Sequence, residues 1–222
     1  MKEVTGLLVM DVDGTLIQQE GIDLLAQEAG VGQKVAEITA QAMNGELDFK
    51  ASLQARVALL KGLEASIFPK IVEQMDVTPG AKILITELHQ RGYKVGLVSG
   101  GFHEVIDPIA KSLGIDLVRA NRLQTFDGRL TGKVLGEIVT PERKKDSLLT
   151  LARENHIPRS QTIAMGDGAN DLPMIETAGI GIAFMAKPIV AERAPYRIET
   201  RDLNLVLEIL DQHRKETACI SY

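Results

Sequence analysis

The stretch Gly6-Leu7-Leu8-Val9-Met10-Asp11-Val12-Asp13-Gly14-Thr15 decides the fold. Its first half is an uncharged, mostly aliphatic run that ends abruptly on acids, as a short strand buried on both faces would. Its second half sets two carboxylates two residues apart. If the chain stays extended through Asp13, both carboxylates project together from the carboxyl end of a parallel strand, where open α/β sheets bind ligands. Two acids that close repel each other unless a cation or a shared proton lies between them. Taken alone, the same residues also suit a polar strand end closed by an Asp-Gly turn.

Working outward, residues 94–99 and Thr162–Gly166 read as two further strands by apolar content, β-branching and flanking breakers. Weaker strand patterns follow at residues 116–120, Ile180–Phe184 and Tyr196–Ile198. Helical patterns lie between them. Thr78-Pro79 precedes Ile83, Leu84, Glu87 and Leu88, and Thr140-Pro141 precedes Leu148, Leu149, Leu151 and Ala152, each with proline suited to the first helical position. This alternation predicts an α/β fold with a doubly wound, mostly parallel sheet covered on both faces. Asp127-Gly128, inside residues 123–134, interrupts it with a two-residue hairpin signal.

Between about residues 16 and 75 the periodicity is helical throughout. Val35, Ile38 and Ala42 keep one spacing, Phe49, Leu53, Val57 and Leu60 another, and Ile67, Ile71 and Met75 a third. The expected organisation is therefore a small helical-bundle cap, residues 16–75, inserted into a core made of residues 1–15 and 76–222.

Composition excludes several classes of protein. The 222 residues carry 25 Lys and Arg against 30 Asp and Glu, a net charge of −5, and 45% are apolar. An acidic chain lacks the electrostatic footprint of a nucleic-acid binder, and the basic run Arg143-Lys144-Lys145 is too short to supply one. The best apolar run, residues 178–186, is less than half of the roughly 20 residues that a membrane helix needs. No secretory leader is expected ahead of Asp11, and a single cysteine, Cys219, suits a reducing cytoplasm. The four histidines show no metal-ligand spacing among themselves.

Two more motifs fall at expected strand ends, and a lysine opens a helix nearby. Asp167-Gly168-Ala169-Asn170-Asp171 follows the strand at Thr162–Gly166. Ser99-Gly100-Gly101 offers a hydroxyl and bare amides where a helix should begin, which suits an anion such as phosphate. Lys144 lies in the first turns of the helix opened by Pro141. Singly, Ser99 and Lys144 read equally well as a cap and a solvated charge. Together, acids, amides and a lysine at one sheet edge describe a site for Mg²⁺ and phosphate.

These residues resemble the haloacid dehalogenase superfamily of phosphotransferases and, within it, the phosphoserine phosphatases. The resemblance rests on Asp11 to Thr15, on Val98-Ser99-Gly100-Gly101-Phe102, on Ala120-Asn121-Arg122-Leu123, on Lys144, on the Asp167 to Asp171 run and on Ala186-Lys187-Pro188. One departure is Gly14, where the phosphoserine enzymes usually carry serine. The regulatory domain appended in some members is not expected.

The resemblance implies Asp11 as nucleophile forming an aspartyl-phosphate and Asp13 as general acid and base. A second acid favours alkyl phosphomonoesters, whose alkoxide must be protonated as it leaves. It further implies Mg²⁺ held by Asp11, Asp167 and the backbone carbonyl of Asp13. Ser99, Gly100 and Lys144 would hold the transferring oxygens, with Asn170 positioning substrate and Asp171 positioning metal or lysine. Glu20 and Arg56 would take the ammonium and carboxylate of O-phospho-L-serine, with Met43 and Phe49 as lining. By spacing alone, Glu20 and Arg56 fit a solvated helix face, and Met43 and Phe49 a core stripe. Two alternatives stay open: a phosphatase for another small phosphomonoester such as phosphohomoserine, and a phospho-accepting receiver-like signalling domain. Neither a nucleic acid nor a membrane is an expected partner.

Overall fold

The computed structural model describes residues 4–43 and 46–220. Strand β1 (Gly6–Met10) leads into helices α1 (Gly21–Glu28), α2 (Gly32–Met43), α3 (Phe49–Ala58) and α4 (Phe68–Glu73). Next come α5 (Ala81–Gln90), β2 (Tyr93–Phe102), α6 (His103–Leu113) and the hairpin β3 (Leu117–Phe126) with β4 (Arg129–Leu135). The chain closes with α7 (Pro141–Glu154), β5 (Thr162–Gly166), α8 (Leu172–Thr177), β6 (Ile180–Phe184), α9 (Pro188–Arg193), β7 (Tyr196–Ile198) and α10 (Leu205–Ile220).

The seven strands form one sheet in the order β4-β3-β2-β1-β5-β6-β7, parallel except for the β3–β4 pair. β1 is central, with Leu8 opposite Val95 on one side and Ile163 on the other, and all five of its residues are buried. Its alternating side chains feed two cores. Leu8 and Met10 pack with Leu84 and Leu88 of α5, Val105 and Ile106 of α6, and Val206 and Leu210 of α10. Leu7 and Val9 pack with Leu148 and Leu151 of α7, Ile175 of α8 and Val190 of α9. Burial on both faces explains why β1 is continuously apolar rather than alternating. The order reverses at β1, since β2 to β4 extend one way and β5 to β7 the other. The carboxyl ends beside that reversal are where an open α/β sheet holds its ligand.

Three local expectations differ from the structure. β2 does not stop at Ser99 but runs on to Phe102, so Ser99-Gly100-Gly101 is a strand end and α6 begins only at His103. The Asn121 side chain keeps this end extended by donating to the Gly100 carbonyl at 2.7 Å. α5 starts at Ala81, behind Gly80 at φ 81°, because the Thr78 hydroxyl is used elsewhere, donating to the Thr15 carbonyl at 2.7 Å.

Residues 16–75 are not helical throughout. Gly62, at φ 90°, ends the helical run, and the next residues pair with the hairpin. Gly62 N–H donates to Leu130 O, Leu130 N–H to Leu63 O and Ala65 N–H to Gly128 O, each at 2.8 Å. The hairpin turn itself is the expected one, with Asp127 at φ 49° and Gly128 at φ 71°, the pair of positive φ values that a two-residue turn requires.

Candidate active site

β1 ends at Met10, and the next amide, Asp11 N–H, still donates to Met165 O of β5 at 2.9 Å, so Asp11 stands at the strand's carboxyl end. β5 ends at Gly166 and places Asp167 beside it. α7 is capped by Thr140, whose side chain accepts from Arg143 N–H, and its fourth residue is Lys144. Lys144 is wholly buried, and its Nζ donates to Asp11 Oδ1 at 2.6 Å and to Asp171 Oδ1 at 2.7 Å. Asp171 is fixed in turn by Gly168 N–H, which donates to its second oxygen at 3.1 Å.

The remaining acid, Asp13, is held apart from this cluster. Its Oδ1 accepts from Gly21 N–H at 2.8 Å and its Oδ2 from the Ser99 hydroxyl at 3.2 Å, while Ser99 Oγ accepts from Gly101 N–H at 2.8 Å. Two residues of chain thus give the two aspartates different company. Gly14 turns the chain after them at φ 74°, and a Cβ there would stand 2.8 Å from Asp167 Oδ2. A serine at this position would be strained by both terms, which accounts for the glycine.

Electrostatics follow from burial. Desolvation, then the charge of Asp171, pushes Asp11 well above the usual carboxylate range, with Lys144 pulling the other way. Asp13 is also raised, by desolvation against the Gly21 amide, Lys144 and Ser99. Desolvation and Asp171 raise Asp167 to about 6. Lys144 is raised because Asp11 and Asp171 outweigh the cost of burying it.

Asp11, Asp167 and Asp171 each offer an oxygen within 4.8 Å of the others. Three hard carboxylate donors, among which the charge of Asp171 adds to burial in raising the proton affinity of Asp11 and Asp167, fit a divalent cation, which relieves that repulsion.

Over this floor lies a cavity of ≈ 410 Å³ whose walls include Asp11, Asp13, Glu20, Arg56, Asp167 and Asn170. Phe49 and Gly100 line it as well, and the Phe49 ring sits 3.1 Å from where a Cβ of Gly100 would be. Phe49 of α3 therefore rests on the β2 end at a residue without a side chain. Glu20 stands at the start of α1 with its side chain free of any capping bond. Although open to solvent at the cavity mouth, its carboxyl is pushed up to about 8 by desolvation and by Asp13, Asp167 and Asp23, with Arg56 opposing. Arg56, half-buried on α3, has one hydrogen bond among the described residues, from Nε to the Ser52 carbonyl at 3.4 Å, and no ion pair.

Of the residues singled out by sequence, Asp11, Asp13, Glu20, Phe49, Arg56, Gly100, Asp167 and Asn170 line this one cavity. Ser99, Lys144 and Asp171 are buried beneath it. Met43 ends α2, and its side chain lies outside those described.

In the sequence Asn121 stands out only as part of Ala120-Asn121-Arg122-Leu123. Buried, it joins Gly100 O to Val139 N–H, which donates to its Oδ1 at 2.9 Å, and so ties the β2 end to the approach to α7. A polar residue in the middle of a strand run was its one signal. The Gly21 amide on Asp13 left no signal, since a backbone donor is independent of residue type.

Residues 8–176 match the family model of the haloacid dehalogenase-like hydrolases. The chain is 64% identical over 212 residues to a phosphoserine phosphatase of Streptococcus thermophilus, covering 96% of this chain and 99% of that protein. It is 56% identical over 207 residues to one of Lactococcus lactis, covering 93% and 96%. Among solved structures, a phospho-aspartyl intermediate analogue of a phosphoserine phosphatase superposes with a TM-score of 0.87 at 44% identity, covering 93% of this chain and 99% of that one. A substrate-bound phosphoserine phosphatase matches with a TM-score of 0.87 at 43% identity, covering 94% and 99%. With its aspartate pair, buried lysine and doubly wound sheet, the chain belongs to the haloacid dehalogenase-like hydrolases and, among them, to the phosphoserine phosphatases.

Proposed function

We propose that this chain hydrolyses O-phospho-L-serine to L-serine and phosphate through an aspartyl-phosphate on Asp11, in the cytoplasm, as the last step of serine synthesis. One observation carries the substrate reading. A single cavity has the Asp11–Lys144–Asp171 cluster at its floor and, in its wall, an arginine without an ion-pair partner among the described residues, beside a carboxyl. Phosphoserine presents a phosphate, a carboxylate and an ammonium. Arg56 suits the carboxylate, which a guanidinium grips through two bonds, and Glu20 suits the ammonium.

The chemistry then follows from how each group is held. Asp11 attacks phosphorus in line, and the bond to the serine oxygen breaks. The departing alkoxide takes a proton from Asp13, whose proton affinity is raised by burial. Asp13, now ionised, removes a proton from the water that attacks the aspartyl-phosphate, which regenerates Asp11 and releases phosphate. Lys144 holds Asp11 in place and supplies positive charge at the phosphate, while the Ser99 hydroxyl and Gly100 amide orient its oxygens. Mg²⁺ held by Asp11, Asp167 and the Asp13 carbonyl would neutralise phosphate charge so that an anionic nucleophile can approach; Asp171 would position the metal or Lys144. Asn170 orients substrate from the cavity wall, and Phe49 and Met43 are assigned to its lining. Residues 16–75 act as the lid over a catalytic core of residues 1–15 and 76–222.

The test is a phosphate-release screen across small phosphomonoesters. L-phosphoserine should be hydrolysed much faster than phosphothreonine, phosphohomoserine or sugar phosphates, and EDTA should stop it. A flat profile would sink the substrate reading, and a phosphoenzyme lasting minutes would favour a signalling domain over an enzyme.

A further inference from the structure

Ser52 sits on α3 one turn before Arg56 and lines the same cavity. It is 2% exposed, and its hydroxyl has no hydrogen-bond partner among the described residues. A helical serine in such surroundings normally returns its hydroxyl to the carbonyl four residues back. Here Asp48 O accepts the Ser52 amide at 2.9 Å but receives no bond from the hydroxyl. A buried hydroxyl without a partner is costly, and native structures tolerate one chiefly where a ligand or water completes it. The Ser52 carbonyl meanwhile receives Arg56 Nε, so the guanidinium is tethered to the residue whose hydroxyl is orphaned.

We propose that the Ser52 hydroxyl is a substrate-binding group that donates a hydrogen bond to the carboxylate gripped by Arg56. This rests on the phosphoserine reading above and deepens it. A carboxylate offers about four lone-pair sites, of which a bidentate guanidinium uses two. A neutral hydroxyl donor can take another without adding a charge that Glu20 or Asp23 would have to balance. The two donors on one helical face thus select for a carboxylate next to the phosphate-bearing carbon chain. A substrate with phosphate and ammonium alone would leave both unused.

The test compares L-phosphoserine with phosphoethanolamine, which keeps the phosphate and ammonium but lacks the carboxylate, in the full chain with Mg²⁺. Ser52→Ala should raise KM for L-phosphoserine about tenfold, the loss expected for one hydrogen bond to a charged group, with kcat changed less than about twofold. Phosphoethanolamine kinetics should not change, and Ser52→Thr should recover most of the lost affinity. In an Arg56→Ala background the Ser52→Ala effect should shrink, because the carboxylate is no longer held there. Thermal stability of Ser52→Ala should be equal or higher, since an orphaned hydroxyl is removed. Equal effects on both substrates, or no effect on either, would overturn the proposal and point to a packing or water-bound serine. A wild-type chain that does not prefer L-phosphoserine to phosphoethanolamine would overturn the substrate reading itself. A selective wild type whose preference for L-phosphoserine is unchanged in Ser52→Ala would overturn only the role of Ser52.

Discussion

Asp11 and Asp13 are the same residue type two positions apart, and their neighbours divide the labour between them. Asp11 faces a buried ammonium, whereas Asp13 faces an amide and a hydroxyl that satisfy its oxygens without a full charge. The amide and hydroxyl leave desolvation dominant, so Asp13 keeps its proton to higher pH than an ordinary aspartate. Asp13→Asn should therefore cut kcat for L-phosphoserine by about 10²- to 10⁴-fold. The loss in the first step should be smaller for an aryl phosphate, whose leaving group needs no proton. Rapid-quench detection of an accumulating phosphoenzyme with the aryl ester would separate the two steps. A uniform loss on both esters would remove Asp13 from the acid role.

At the level of elements, the hairpin β3–β4 does more than extend the sheet. It anchors the segment after α3, through three backbone bonds between residues 62–65 and residues 128–130. Arg129 reinforces it by donating to Gly62 O at 2.9 Å and pairing with Glu64 at 2.6 Å, although an exposed pair of this kind contributes under about 1 kcal/mol. The backbone bonds depend on the turn geometry, which needs Gly128 at φ 71°. Gly128→Ala forces a left-handed alanine at roughly 1–2 kcal/mol and should loosen the anchor. Hydrogen exchange at the amides of Gly62, Ala65 and Leu130 should speed up together while β1 and β5 amides keep their protection. The turn was legible as Asp127-Gly128, but its docking partner was not. Periodicity reports which side chains are buried and is silent on which backbone groups pair across distant segments.

For the molecule as a whole, the net charge of −5 conceals an uneven distribution, because four aspartates and Glu20 converge at one end of the sheet. Asp11, Asp13 and Asp167 bind protons more tightly folded than unfolded, where an aspartate titrates near 4. Between that value and about 6 for Asp167, the folded state carries more protons, so without a cation stability should fall as pH rises through this range. Mg²⁺ binds the ionised form, so its stabilisation should grow over the same range. At a hundredfold excess over Kd the gain should approach about 2.7 kcal/mol. Thermal melts with Mg²⁺ and with EDTA should differ clearly at about pH 7.5 and much less at about pH 5. An Mg²⁺ effect independent of pH would contradict cation binding at these carboxylates.

What the sequence determined by itself was everything written in local pattern: a continuously apolar strand ending in paired acids, the alternation of strands and helices, and the helical insertion. Each depends on burial or turn chemistry within about ten residues, which composition and spacing record directly. The tertiary structure decided which groups meet. Lys144 reaches Asp11 across 133 positions of chain, Asn121 pulls β2 past Ser99, and Gly21 gives its amide to Asp13. Ser52 reads in the sequence as one more polar helix residue, and only the packing around α3 makes it a buried hydroxyl on the cavity that Arg56 also lines. Such pairings are set by packing between segments distant in sequence, and no local propensity encodes the partner of a buried polar atom.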